Sequence, residues 1–156
     1  FGCVLTAGLG LAPRAFTAQR WGRRREVVLL YGAATRHGLH DIARLSRWTT
    51  TLRFSTDDGS RGFRGRVSAL LDRVLVTRPE VWRRADLLAC GPWPMMRAVE
   101  EAARGRVRST TYSLEEHMAC GVGLCAGCAY PKADGTFGLV CRDGTGIPGE
   151  AIQWRT

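Results

Sequence analysis

Four cysteines fall within 22 residues of this chain, Cys120, Cys125, Cys128 and Cys141, in the order C-x4-C-x2-C-x12-C. No other feature restricts the fold as much. Four soft ligands so close in sequence oblige the chain between them to wrap tightly around whatever they hold. Gly121, Gly123 and Gly127 are interleaved with them. Glycine reaches backbone angles closed to other residues, so these three are expected to let amide N–H groups approach the sulfurs. The other two cysteines, Cys3 and Cys90, sit in apolar, strand-like runs. With no secretory signal pattern in view, ligation is expected rather than disulfide bridging.

Three chemistries compete for such a set. The intervals between the first three cysteines are those of the plant-type ferredoxin loop, where a fourth cysteine from further along completes a [2Fe–2S] site. A structural zinc site usually uses two C-x2-C knuckles, and only one is present. A redox dithiol would use Cys125 and Cys128 and leave Cys120 and Cys141 without a role. The spacing therefore points to one [2Fe–2S] cluster on Cys120, Cys125, Cys128 and Cys141, with a zinc-stapled binding module as the non-enzyme alternative.

The first 112 residues have a different character. Short apolar runs at 3–6, 26–31 and 85–90, with the more polar stretches 50–55 and 106–112, read as strands. Helical patterns lie between them, at about 13–21, 37–48, 66–76 and 93–104, with apolar residues recurring at three and four. Buried strands alternating with helices of about three turns predict an α/β domain whose doubly wound parallel sheet of five strands is covered on both faces. The expected division is 1–112 for this domain and 113–156 for a small, irregular cluster domain. There, one helical turn is expected at 114–118, with Ser113 and Glu116 at capping-box spacing.

Gly8-x-Gly10 lies between the first strand and the first helix, where amide N–H groups and the helix dipole favour a phosphate. It is not the full dinucleotide fingerprint. Pro13 takes the place of the third glycine, and no acidic residue follows the second strand to hold a ribose. That strand runs into Tyr31-Gly32-Ala33-Ala34-Thr35-Arg36 instead. Arg36 reads as a surface residue, or as a cation for a 2′-phosphate. Asp57 and Asp58 read as a turn, Met95 and Met96 as core filling, and His37, His40 and His117 as solvated or structural.

These departures fit a known pattern. G-x-G-x-A-P after the first strand, T-D-D-G-S-x-G-x-x-G from Thr56, and Cys90-Gly91-Pro92-Trp93-Pro94-Met95 after the fourth strand resemble the pyridine-nucleotide domain of the ferredoxin reductase family. The resemblance implies NAD(H) binding, with pyrophosphate at Gly8, Gly10, Ala12 and Pro13 and the nicotinamide near Cys90, Gly91, Pro92 and Met95. The run S-L-E-E-x-M-A-C-G-x-G-x-C-x-G-C, followed by V-C-x-D-G, resembles the cluster domain of the electron-transfer subunit of dihydroorotate dehydrogenase type B. In that family the four matching cysteines hold a [2Fe–2S] cluster. Together the two resemblances cover nearly the whole chain.

That resemblance implies a wire. A hydride passes between nicotinamide and FAD, and FAD exchanges single electrons with the cluster. The cluster relays them to or from FMN in a partner catalytic subunit that interconverts dihydroorotate and orotate. No residue of this chain need act as acid, base or nucleophile, because the cofactors carry the chemistry. The family also has an N-terminal FAD-binding barrel. The chain opens at Phe1 directly on an apolar run, so a missing upstream domain is expected, and these 156 residues alone should not oxidise NADH. The runner-up is the reductase subunit of another iron–sulfur flavoenzyme, a sulfhydrogenase or a ferredoxin-linked transhydrogenase.

Composition fits a globular protein and argues against some alternatives. A hydrophobic fraction of 45% and a charged fraction of 24% are those of an ordinary globular protein. No apolar run approaches the ~20 residues of a membrane-spanning helix. The net charge of +9 comes almost wholly from arginine, in clusters at expected loops and helix ends and without the interleaved aromatics of a nucleic-acid surface. Cytoplasmic location, with neither nucleic acid nor membrane as partner, is expected.

Overall fold

The computed structural model describes residues 2–7 and 26–154. The helix expected at 13–21 and the phosphate-loop residues Gly8, Gly10, Ala12 and Pro13 lie outside them. Along the chain come β1 (Gly2–Ala7), β2 (Val27–Ala33), β3 (Thr51–Thr56), β4 (Phe63–Arg64), β5 (Asp86–Cys90) and β6 (Ser109–Ser113). The cysteine-rich stretch adds β7 (Ala129–Pro131), β8 (Phe137–Leu139) and β9 (Gly146–Pro148).

Seven of these strands form one sheet in the order β4-β3-β2-β1-β5-β6-β9. The five expected strands are its centre and are mutually parallel. Two short edge strands extend it. β4 runs parallel to β3, and β9 returns antiparallel to β6, with Ile147 opposite Tyr112. β7 and β8 form a separate antiparallel hairpin.

Continuous apolarity in the central strands has a direct cause, since both faces are covered. In β2, Val28 and Leu30 face one side, with the Val67–Leu75 and Trp93–Ala103 helices, while Val27, Leu29 and Tyr31 face Leu39 and Leu45 on the other. The Val67–Leu75 helix buries Val67, Leu70, Leu71, Val74 and Leu75, a 3–4 stripe in which each large aliphatic contributes roughly 1.5–3 kcal/mol. Ile147, Ile152, Val140 and Tyr130 belong to the same core as β5 and β6, so the cysteine-rich stretch packs on the sheet.

Three local expectations need correction. The helix expected at 37–48 is a 3₁₀ turn, Arg36–Gly38, followed by one turn of α-helix, Ile42–Leu45. The Tyr31 hydroxyl lies between them, donating to Gly38 O at 3.1 Å and accepting from His40 N at 3.2 Å, so it occupies backbone groups a continuous helix would pair internally. Asp41 then takes a left-handed conformation, φ 54°. The last parallel strand starts at Ser109 rather than at 106. Residues 114–118 form no helical turn, because the backbone N–H of Leu114 goes to Thr145 O at 2.9 Å and the Glu116 carboxylate is engaged elsewhere.

Candidate dinucleotide cleft and cysteine loop

The strand order reverses at β1, between β2 and β5, which is where an open α/β sheet leaves a crevice beyond the carboxyl ends of its strands. A cleft of about 700 Å³ lies there. Gly32 and Ala33 of β2, Ser55 of β3, Asp57 and the Gly91–Pro92 turn wall it, with Met95 and Glu115. Gly91 has φ 153°, in the range that favours glycine. Pro92 then caps the Trp93–Ala103 helix, and Pro94 in its first turn suits a position that needs no N–H. Gly32 is required for packing, since a Cβ there would lie 2.7 Å from Val67 Cβ.

The cleft fits a polar ligand. Among the described residues Ser55 Oγ has no hydrogen-bond partner, although its residue is buried and lines the cleft. No acid follows β2, but the turn after β3 brings one to the same end of the cleft. Asp57 N donates to Ala33 O and Asp58 N to Ala34 O, both at 3.2 Å, pinning this turn to the end of β2. The two aspartates then divide. Asp58 Oδ1 accepts from Ser60 N at 2.9 Å and Ser60 Oγ at 2.6 Å, and these bonds hold its carboxyl below the usual range. Ser60 Oγ in turn accepts from Arg36 N at 2.8 Å. Asp57 is exposed and lines the cleft, as does Arg66, whose neighbour Gly65 N donates to Thr56 O at 2.9 Å. Met95 is half-buried at the cleft, whereas Met96 reaches the core.

Cys90 ends β5 fully buried, with Sγ 3.6 Å from Glu115 Oε1. Glu116, the next residue, accepts from Trp93 Nε1 at 2.9 Å. The Cys90–Trp93 turn is thus joined by two side chains to the segment that leads to Cys120.

In the cysteine loop, Cys120 and Cys125 are exposed, Cys141 is half-buried and Cys128 is buried. Backbone N–H groups point at the sulfurs. Leu124 N and Cys125 N donate to Cys120 Sγ at 3.4 Å, Gly127 N to Cys125 Sγ at 3.4 Å, and Cys141 N to Cys128 Sγ at 3.5 Å. Hydrogen bonds of this kind, with that of Val122 N–H foremost, bring the Cys120 thiol down to about 6. The Cys141 thiol is pushed up, first by its hydrogen bond with Cys128, then by burial and the Cys128 charge.

Cys120 interacts with Cys125, and Cys141 with both Cys128 and Cys120. Four thiols at C-x4-C-x2-C-x12-C spacing suit a cluster of two irons, each taking two thiolates, better than one tetrahedral zinc, which usually uses two C-x2-C knuckles.

Glycine's part differs from the expectation at one place. Gly121 and Gly123 take positive φ, 69° and 84°, but the third left-handed residue is Ala126, φ 55°, and not Gly127. A Cβ on Gly123 would strike Arg142. The V-C-x-D-G motif also acquires a role. Asp143 Oδ2 accepts from Tyr130 OH at 3.1 Å and Leu139 N at 3.0 Å, binding the one-turn Val140–Asp143 helix, and with it Cys141, to the β7–β8 hairpin. A Cβ on Gly138 would collide with the Tyr130 ring. Sequence reasoning passed over the anchoring side chains of Asp143 and Glu115 and the left-handed backbone at Ala126, and gave Glu116 a capping role instead. Only the D-G pair carried a local signal, a turn.

Known proteins agree with this architecture. Residues 115–153 match the family described as the iron–sulfur cluster binding domain of dihydroorotate dehydrogenase B. The probable dihydroorotate dehydrogenase B (NAD(+)) electron transfer subunit of Thermococcus kodakarensis is 33% identical over 96% of this chain and 58% of its own length. The corresponding subunit of Geobacillus thermodenitrificans is 34% identical over 90% and 52%. The chain thus spans about half the length of these relatives. A solved NADH-dependent reduced ferredoxin–NADP oxidoreductase superposes with a TM-score of 0.83 at 25% identity, covering 98% of this chain and 54% of that one. A ferredoxin reductase of carbazole 1,9a-dioxygenase, 21% identical with a TM-score of 0.56 over 67% of this chain and 33% of its own, shares the fold. Residues 115–153 thus carry the cluster-binding domain of that family, and along nearly its whole length the chain is similar to dihydroorotate dehydrogenase B electron transfer subunits.

Proposed function

We propose that this chain is the part of an electron transfer subunit that joins a nicotinamide dinucleotide to a [2Fe–2S] cluster. Residues 1–112 form the nucleotide domain and 113–156 the cluster domain. The observation that carries the reading is the set of backbone N–H donors aimed at the Cys120, Cys125 and Cys128 sulfurs within the C-x4-C-x2-C-x12-C spacing. Cys120, Cys125, Cys128 and Cys141 hold the cluster. When bound, it supplies one-electron transfer and the dinucleotide supplies a hydride. The amides around Cys120 stabilise thiolate charge and help set the potential.

On the nucleotide side, Gly8, Gly10, Ala12 and Pro13 take the pyrophosphate, and Gly91, Pro92 and Met95 seat the nicotinamide, with Cys90 buried behind their turn as its support. Arg66 offers a cation at the cleft. Asp57 accepts from the ribose hydroxyls, and its carboxylate disfavours a 2′-phosphate, so the dinucleotide is NAD(H) rather than NADP(H). FAD is held by the part of the full protein outside this chain, and these residues alone do not oxidise NADH. The partner is an FMN-containing catalytic subunit that interconverts dihydroorotate and orotate. Val122 and Leu124, both strongly exposed beside Cys120 and Cys125, give that edge of the loop an apolar rim suited to a protein partner.

The deciding measurement is iron, zinc and acid-labile sulfide on anaerobically purified protein, with an EPR spectrum after dithionite. About two irons and two sulfides per chain, with a one-electron signal, are expected for this cluster type. One zinc without sulfide would overturn the reading. The close superposition on the ferredoxin–NADP oxidoreductase favours one second reading, a reductase subunit of another iron–sulfur flavoenzyme. Co-purification with a dihydroorotate-oxidising subunit separates the two.

A further inference from the structure

Two adjacent carboxylates tie the wall of the cleft to the arm that carries Cys120. Glu115 lines the cleft and accepts from Cys90 Sγ, while Glu116 accepts from Trp93 Nε1 at 2.9 Å. Cys90 and Trp93 bracket the Gly91–Pro92 turn, the part of the cleft wall nearest β6. The arm itself, residues 114–119, belongs to no helix or strand. Its placement therefore depends on the buried Leu114, the Leu114 N–H bond to Thr145 O, and these two glutamate contacts.

The same region reaches the other cysteines. Ala129, directly after Cys128, lines a side pocket of about 520 Å³ together with Trp93 and Glu116. The Trp93 ring meets Trp154 edge-on at 5.9 Å, and Trp154 meets Tyr112 of β6 at 4.6 Å. Trp93 and Pro94 line both this pocket and the dinucleotide cleft, so one indole separates the two. A ligand that shifts the Cys90–Trp93 turn displaces both acceptors of the arm. Four residues after Glu116 stands Cys120, whose sulfur is held by amides of its own loop.

We propose that Glu115 and Glu116 are positioning residues that couple occupancy of the dinucleotide cleft to the state of the cysteine-bound cluster. Binding beside Gly91 alters the cluster's reduction potential, and by linkage the cluster's oxidation state alters dinucleotide affinity by the same factor. This coupling rests on the proposed function above and adds regulation to it.

The test uses cluster-loaded protein and tetrahydro-NAD, an NADH analogue that cannot give up a hydride. Its affinity is measured by tryptophan fluorescence with the cluster oxidised and with it reduced by dithionite. The cluster's midpoint potential is followed by EPR with and without the analogue. A difference in affinity of about fivefold or more is expected, equivalent to a shift of about 40 mV for one electron. In Glu116→Ala, Glu115→Ala and Trp93→Phe the ratio falls below about twofold, whereas Glu116→Gln keeps an acceptor for the indole N–H and restores it. Equal affinities in a wild-type protein that holds its cluster and binds the analogue would overturn the coupling and leave the electron-transfer reading standing; that comparison needs no variant to fold. A full ratio retained in the alanine variants would overturn the role of the glutamates. Absence of a cluster, or of analogue binding, would remove the functional reading and the coupling with it.

Discussion

Removing the Asp143 carboxylate should loosen the hold on Cys141 without touching a ligand. Asp143 Oδ2 accepts from Tyr130 OH at 3.1 Å and from Leu139 N at 3.0 Å. A hydrogen bond to a charged group contributes about 1.5–3 kcal/mol, and the lower end applies because Asp143 is exposed. Two such bonds give about 3 kcal/mol for Asp143→Ala, since the Tyr130 hydroxyl lies on a buried side chain and loses this acceptor. At about 2–4 °C per kcal/mol for a chain of this size, Tm falls by roughly 6–12 °C. Asp143→Asn keeps one oxygen in place as a neutral acceptor, so about half the effect is expected. Thermal unfolding by circular dichroism reads the stability, and bleaching of the visible absorbance under a chelator reads cluster retention. Both should follow the order wild type, Asn, Ala. Indistinguishable Tm and bleaching rates in wild type and Asp143→Ala would refute the assignment of Asp143 as the anchor of the Cys141 turn.

Asp57→Asn removes the only side-chain carboxylate of the β3 turn that faces the cleft, and the ratio of NADH to NADPH affinity should fall by about tenfold, roughly 1.4 kcal/mol; an unchanged ratio by calorimetry rules Asp57 out as the selecting group. In cluster-free protein, alkylation of Cys120 by iodoacetamide should be half-maximal near pH 6, while Cys141 reacts only above the ordinary thiol range; mass spectrometry resolves the two sites, and coincident profiles would contradict the loop geometry. The sign follows from the amide donors. A lowered Cys120 pKa stabilises the cluster-free loop above the unfolded thiol's range, and that contribution is lost as pH falls through about 6. Gly123→Ala meets both a left-handed backbone and the Arg142 side chain and should cost about 2 kcal/mol, whereas Gly127→Ala, with no neighbour nearer than 3.5 Å, should be neutral within about 0.5 kcal/mol; denaturant titrations of the two variants check this, and equal losses would contradict it.

Much of this protein was legible in one dimension. Parallel strands buried on both faces must be apolar throughout, so β1, β2 and β5 announce themselves in sequence, and the Val67–Leu75 helix shows its stripe. The cysteine spacing is likewise local chemistry, because four ligands within 22 residues hardly depend on the rest of the fold. What sequence could not decide were contacts between residues far apart in the chain. Helix periodicity over 37–48 is real, yet the Tyr31 hydroxyl, six residues earlier and on another element, interrupts it. Ser113 and Glu116 have capping-box spacing, yet Glu116 is claimed by Trp93, 23 residues back. No acid follows β2, and the carboxylate at this end of the cleft is that of Asp57, after β3, because the sheet sets those strand ends side by side. β9 joins β6 through Ile147, at the far end of the chain. Local propensities amount to tenths of a kcal/mol per residue, while a buried side chain or a charge-assisted hydrogen bond contributes one to three. Where the two disagree, tertiary contacts prevail, and in this protein they do so along the seam between the dinucleotide cleft and the cysteine loop.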